Sequence, residues 1–368
     1  MPGKEKDMSY IGQRRNNRSI RVGALGIGSD YPISIQSMTN TDTHDVEATY
    51  KQTLAIAEAG ADIVRITAPD IESTATFREL KRRGITTPLV ADIHFNHKIA
   101  VAAVEAGADK IRINPGNVGS RDNVREVVLA CREYGVPIRI GVNSGSLEES
   151  LLRKYGAPTP RALAESAIRH AEILEELDFS DIVISVKASD VPTMIAANRI
   201  LAEKVNYPLH LGVTEAGASV RALVKSSIGI GTLLAEGIGD TVRVSLTDDP
   251  VREVDAAREI LASLALSDKP HMDIISCPTC GRTKIDLIRL VSDFETRAKE
   301  EGLLDLRIKV AIMGCAVNGP GESREADIGV AGGVGEALLF KKGKTVRKIS
   351  ENRIVEELID EIKLLKTV

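Results

Sequence analysis

Between residues 33 and 246 the sequence repeats one theme eight times: a short apolar run ending in polar residues, then an amphipathic stretch. The strand-like runs fall at 33–38, 62–67, 88–94, 110–114, 137–143, 181–187, 207–214 and 241–246. Helical patterns lie between them, as at 45–60, 70–84, 161–177 and 191–205, and Gly60, Gly84, Gly107 and Gly135 stand where helix C-caps are expected. Short strands alternating with helices require a parallel sheet with helices packed on it. Eight units predict an α/β fold, a closed (β/α)8 TIM barrel, with an open doubly wound sheet as the alternative. Upstream, residues 19–23 and a turn at 26–28 read as a hairpin plugging the bottom of the barrel.

The pattern changes near residue 267, where Ser267-Asp268-Lys269-Pro270 reads as a linker. Strand-like runs at 273–276, 307–313 and 327–331, a helix from 284 to 302, a hairpin across 337–349 and a helix at 351–366 predict a smaller α/β domain. The expected division is therefore 1–266 and 267–368. A chain of 368 residues is long enough for two cores. Hydrophobic content of 43% and charged content of 27% suit a soluble globular protein. A net charge of −4 gives no reason to expect nucleic acid as a partner. The polar start, Met1 to Asp7, lacks a signal-peptide core, and no apolar run spans a membrane. The expected compartment is the cytoplasm, where thiols stay reduced.

Side chains two apart on a strand share a face. That rule pairs Arg65 with Thr67, Asp92 with His94, Arg112 with Asn114, Arg139 with Gly141 and Asn143, Ser185 with Lys187, and Arg243 with Ser245. The outer face of a barrel strand lies under helices, where an unpaired arginine is costly. These residues should point inward, toward the C-terminal strand ends where barrel enzymes keep their active sites. Arg65, Arg112, Arg139, Lys187 and Arg243 would then share one pocket, and guanidinium forks suit phosphate oxygens. A multiply charged phosphate ester or diphosphate is the expected ligand. Backbone N–H groups of the loops 114–117 and 143–146, including Ser144, can add to the site. Thr214 and Glu215 end the seventh run; Glu215 is a candidate general acid/base or a counter-ion for Arg243 or Lys187. His94 is a candidate substrate ligand or a structural histidine.

Four cysteines occur. Cys131 sits on an apolar helix stripe and reads as core. The others fall in Ser276-Cys277-Pro278-Thr279-Cys280-Gly281 and Met313-Gly314-Cys315-Ala316-Val317-Asn318-Gly319-Pro320-Gly321-Glu322. A CxxC alone is shared by zinc sites and redox dithiols. Zinc wants a fourth Cys or His, and neither His271 nor Glu322 completes a familiar zinc pattern; a redox dithiol has no use for Cys315. A 4Fe–4S cubane on three thiolates, with one iron left for an oxygen donor such as Glu322, fits better. A phosphosugar aldolase or isomerase barrel, with a catalytic Lys187 and a structural zinc domain, is the competing enzyme reading. A non-enzymatic iron–sulfur carrier would have no need of the five cations.

Together with Ile35-Gln36-Ser37-Met38-Thr39-Asn40 and Leu211-Gly212-Val213-Thr214-Glu215-Ala216-Gly217, these two cysteine motifs closely resemble the bacterial 4-hydroxy-3-methylbut-2-enyl diphosphate synthase family, in its two-domain form and over almost the whole chain. The resemblance implies reductive ring opening of 2-C-methyl-D-erythritol 2,4-cyclodiphosphate, with loss of a hydroxyl as water, in isoprenoid biosynthesis. It implies a 4Fe–4S cluster bound by Cys277, Cys280, Cys315 and Glu322. It also implies electrons from flavodoxin or ferredoxin, and a homodimer in which one subunit's barrel faces the other's cluster domain.

Overall fold

The computed structural model describes residues 12–315 and 324–366. Residues up to Ser267 form one compact unit and those from Asp268 a second.

The first unit begins with β1 (Ile20–Val22) and β2 (Leu25–Ile27), an antiparallel hairpin. Its turn lies at Gly23, whose φ of 57° suits glycine, whereas Gly26, expected in the turn, pairs with Arg21 inside β2. There follow β3 (Ser34–Met38), α1 (Val46–Glu58), β4 (Ile63–Thr67), α2 (Ala75–Arg82), β5 (Leu89–Asp92), α3 (His97–Glu105), β6 (Lys110–Ile113) and α4 (Arg121–Tyr134). The chain continues through β7 (Ile138–Asn143), α5 (Glu149–Tyr155), α6 (Pro160–Glu175), β8 (Ile182–Lys187), α7 (Val191–Lys204), β9 (His210–Leu211), α8 (Ser219–Ala235), β10 (Thr241–Val242) and α9 (Pro250–Ser263).

The strands from β3 to β10 make one eight-stranded parallel sheet in the order β8-β7-β6-β5-β4-β3-β10-β9. A parallel bridge between Ile184 and Leu209 closes it, with the Ile184 N–H donating to the Pro208 carbonyl at 2.9 Å. The fold is the TIM barrel that eight β/α units predict. Helix starts follow local chemistry: Asp45, Ser120 and Thr159 cap α1, α4 and α6 with their side chains, and Pro160 opens α6. Helix α6 turns Leu163, Ala167, Ala171 and Leu174 inward, a stripe at helical spacing.

The bottom of the barrel is sealed by the hairpin. Ile20, Val22 and Ile27 pack with Ile63, Val90 and Val183, all nearly inaccessible. Each such side chain stabilises the fold by about 1.5–3 kcal/mol. Ile63 shares a strand face with Arg65, and Val183 with Ser185, so the apolar floor and the polar mouth belong to one inward surface.

The second unit comprises β11 (Met272–Ser276), α10 (Leu287–Glu300), β12 (Ile308–Met313), β13 (Ile328–Gly332), β14 (Glu336–Lys341), β15 (Lys344–Ser350) and α11 (Ile354–Lys366). Its sheet runs β11-β12-β13-β14-β15, parallel through β13 and antiparallel beyond. The β14–β15 hairpin turns on Lys342 and Gly343, both at positive φ. Phe294 and Ala298 of α10 and Leu358 and Ile362 of α11 pack with Val310, Ile328 and Leu339. Ala311, Met313, Ala331 and Phe340 form a smaller cluster.

Candidate active site

A cavity of about 150 Å³ at the C-terminal strand ends is lined by Arg65, Arg112, Arg139, Asn143, Lys187, Thr214, Arg243 and Ser245, with Gly141 and Ser185 among them. The alternation of β4, β6, β7 and β8 delivers Arg65, Arg112, Arg139, Asn143 and Lys187 to one face, and the segments after β9 and β10 add Thr214, Arg243 and Ser245. Small residues make room for them. A Cβ at Gly141 would strike the Arg112 guanidinium, and one at Gly212 would lie 2.8 Å from Lys187 Nζ.

Two carboxylates answer these five cations. Asp92 is 2% exposed; it meets Arg65 Nη2 at 2.5 Å and Arg112 Nη1 at 3.4 Å. Burial works against the Asp92 carboxylate, but Arg65 and Arg112 together outweigh it and hold it well below the usual range. Glu253, from α9, takes Arg243 Nη2 at 3.2 Å and also accepts from Ser37 Oγ at 2.8 Å and the Leu246 N–H at 3.1 Å.

Positive charge remains in excess. Burial brings Arg65 down to about 10, against the pull of Asp92. Burial, then Arg65 and Arg112, push Arg139 well below its ordinary value; burial, then Arg243 and Arg139, do the same to Lys187. Among the described residues Arg139 Nε and Nη1, Arg65 Nε and Asn114 Oδ1 are buried without a hydrogen-bond partner. The three unmet guanidinium donors are suited to a multiply charged oxyanion, while Asn114 Oδ1 is an unmet acceptor.

Other predicted residues stand at the rim. Asn114 is buried where the turn after β6 begins. Ser144 opens the turn after β7. His94 lies beyond the end of β5, half exposed, 4.0 Å from Asp92. Glu215 is exposed and does not line the cavity; its φ of 50° places a non-glycine residue in the left-handed region. That conformation costs about 1–2 kcal/mol. The counter-ion of Arg243 is Glu253, which sequence reading missed. It also missed Lys110 and His210, both fully buried. The alternation that marks Arg112 and Gly212 as inward marks these two as well. Burial, then Arg139 and Arg65, lower the Lys110 amine well below its ordinary value.

In the second unit, β11 and β12 run side by side, so the chain leaves both at the same sheet end. Cys277 follows β11 and Cys315 follows β12, and the Gly314 N–H donates to Cys277 Sγ at 3.2 Å. Cys280 is exposed; the Arg282 backbone N–H and guanidinium lower its thiol below the ordinary value, toward the thiolate a metal requires. The donor types fit a soft metal centre: three free thiols, two of them following the neighbouring strands β11 and β12, with an N–H already directed at one sulfur. No three ligating side chains among the described residues stand together as a ready metal site, and Glu322, the expected fourth ligand, lies outside those residues. Cys131 is buried in α4, where burial pushes its thiol up.

A TIM barrel with a cationic mouth, joined to a small unit carrying three free cysteines, defines a class of two-part barrel enzyme. Residues 17–258 match the family model described as the GcpE TIM-barrel domain, and residues 273–364 match the GcpE protein C-terminal domain. The chain belongs to the GcpE family. A relative from Clostridium perfringens, named 4-hydroxy-3-methylbut-2-en-1-yl diphosphate synthase (flavodoxin), is 56% identical over 96% of this chain and 99% of its own. A relative of the same name from Geobacillus kaustophilus is 54% identical over 96% of this chain and 94% of its own. The aldolase alternative is not favoured by these relatives. Among solved structures, a Yersinia pestis dihydropteroate synthase covers 68% of this chain and 100% of its own at 12% identity and a TM-score of 0.48, a likeness too slight to bear on function.

Proposed function

We propose that this oxidoreductase opens the ring of 2-C-methyl-D-erythritol 2,4-cyclodiphosphate reductively, giving 4-hydroxy-3-methylbut-2-enyl diphosphate and water. The relatives' shared name over nearly the full chain supports the reaction. The convergence of Arg65, Arg112, Arg139, Lys187 and Arg243 on one cavity carries the substrate reading. A cyclic diphosphate fills the empty valences of Arg139 and Arg65 and relieves their mutual repulsion.

The reaction breaks one ring C–O bond and expels one hydroxyl, consuming two electrons and one proton. Cys277, Cys280, Cys315 and Glu322 would hold a 4Fe–4S cluster, which when bound supplies the electrons one at a time. Flavodoxin or ferredoxin delivers them, and the active form is a cytoplasmic homodimer. The chain's own residues hold the substrate still. The guanidinium forks and Lys187 grip the diphosphate, Ser245, Thr214 and Asn143 fix its orientation, and Asn114 Oδ1 offers an acceptor to a substrate hydroxyl. His94 reaches the substrate from the rim, beside Ser144. Glu215, at positive φ in the loop after β9, guides a proton to the departing hydroxyl. In Glu215→Gln, substrate should bind as before while turnover falls by about 100-fold or more; unchanged turnover would return Glu215 to a structural role.

The test is the visible and electron paramagnetic resonance spectrum of anaerobically purified protein, with and without the cyclodiphosphate, alongside product analysis under reductant. A brown protein whose spectrum changes with substrate, and which yields the linear diphosphate, is expected. A colourless protein with stoichiometric zinc after iron and sulfide reconstitution would overturn the reading.

A further inference from the structure

Two turns follow the cavity-lining strands β6 and β7, and both meet one histidine that no part of the proposed reaction uses. His170 lies on α6, is 2% exposed, and is the fourth residue after Ser166 on the same helix face. Its Nε2 stands 2.9 Å from Glu148 Oε1, and Ser166 Oγ donates to the other Glu148 oxygen at 2.7 Å. Glu148 ends the loop that leaves β7 through Asn143, and its carbonyl receives the Leu151 and Leu152 N–H groups that open α5. Burial opposes the Glu148 carboxylate, but hydrogen bonds from His170 and Ser166 outweigh it and hold it down to about 2. The acceptor is therefore a permanent anion at working pH.

The same end of the ring also meets the β6 turn. A Cβ added at Gly116 would fall 2.5 Å from His170 Nε2, so the turn 115–117 lies directly on the imidazole. That turn begins at Asn114, and the Asn117 N–H closes it on the Asn114 carbonyl at 2.8 Å. One side chain thus touches the segment that sets Asn114 and the segment that sets Asn143, which come from neighbouring strands. His170 itself does not line the cavity.

We propose that His170 is a positioning residue for the diphosphate-binding mouth, clamping the β7 turn through Glu148 and supporting the β6 turn through its contact with Gly116. The inference rests on the proposed function, since it assigns those turns to substrate binding. It predicts a defect in binding, not in chemistry, because neither turn carries the reducing centre or Glu215.

The experiment compares wild type with His170→Leu, His170→Gln and Gly116→Ala in the full-length, cluster-loaded enzyme. It reads the Kd for cyclodiphosphate by calorimetry, KM and kcat with a chemical reductant, and Tm. His170→Leu should raise Kd and KM by about 10- to 100-fold, the scale of a small misplacement of binding groups, with kcat changed far less. His170→Gln should recover most of that loss, because its amide can still donate to Glu148. Gly116→Ala removes no polar group and crowds the same ring, so it should raise KM in the same sense; it keeps the test decisive if His170→Leu folds poorly. Unchanged Kd in both His170→Leu and Gly116→Ala overturns the proposal, as does an equal loss of Tm and kcat in the Leu and Gln variants. Wild-type enzyme that fails to bind cyclodiphosphate overturns instead the reading of the mouth on which the proposal stands.

Discussion

Arg139 is the residue at which function and stability oppose one another most plainly. Its guanidinium is buried with Nε and Nη1 unmet, and its nearest charges are other arginines. A buried, unpaired cation destabilises the empty protein. Arg139→Leu should therefore leave Tm unchanged or raise it, while weakening cyclodiphosphate binding by about 100-fold, the scale of losing a buried charge-assisted pair. A lower Tm with unchanged binding would show that Arg139 serves the fold. Asp92 behaves in the opposite way. Its folded value lies below its unfolded one, near about 3.9, so its stabilisation is complete above about pH 4 and is lost as pH falls through the folded value. Asp92→Asn leaves Arg65 and Arg112 without their counter-ion and should cost about 3–5 kcal/mol at neutral pH. Denaturant titrations should show that penalty shrinking as pH falls below about 4, where Asp92 of the unfolded chain takes up a proton while the folded anion persists. A penalty that stays constant into acid would remove Asp92 from its role as the counter-charge.

At the scale of the strand, the pocket depends on where side chains are missing. The inward position of β7 beside Arg112 is Gly141, whose carbonyl accepts from Arg112 Nη2 at 2.8 Å. Gly141→Ala should fold, since β-region backbone tolerates alanine, but it must push the Arg112 guanidinium off that carbonyl. KM should rise about tenfold, the worth of one charge-assisted hydrogen bond; an unchanged KM would mean that Arg112 relaxes without cost. This layer was legible in the sequence because period-two alternation is a local signal: Arg112 with Asn114, and Arg139 with Gly141 and Asn143, could be read from spacing alone. Strand ends were less legible. The runs at 207–214 and 241–246 pair as strands only at His210–Leu211 and Thr241–Val242. Pro208, which has no N–H, precedes the first of these, and beyond Leu211 and Val242 the chain opens toward the mouth. Glu253 and His170 were not legible at all. Both sit on helices outside the ring and act on side chains and loops of other elements, so no periodicity marks them. The hairpin turn was misplaced by a few residues because several glycines compete there, and only the backbone shows that Gly23 takes the positive φ.

The molecule as a whole divides its tasks between two cores. The barrel closes its own sheet through Ile184 and Leu209 and seals its own floor with Ile20, Val22 and Ile27. The second unit buries Phe294, Val310 and Leu339 with helices from its own chain segment. The change of rhythm near residue 267 led to an expected division at 266 and 267; the compact units part at Ser267 and Asp268. Full-length active enzyme is expected to sediment as a dimer, and purely monomeric active enzyme would contradict that. Among the described residues neither core borrows a strand from the other, so each has what a domain needs to fold alone. A chain ending at Ser267 should unfold in one cooperative transition, with a denaturant m-value reduced in proportion to the surface it lacks. It should bind cyclodiphosphate in a strongly salt-dependent way, because its five clustered cations are intact, and it should be colourless and unable to turn substrate over. The complementary fragment from Asp268 should take up iron and sulfide and show no affinity for the diphosphate. A barrel fragment that folds but cannot bind would place essential substrate contacts in the second unit. An insoluble one would show that the barrel depends on its neighbour for stability.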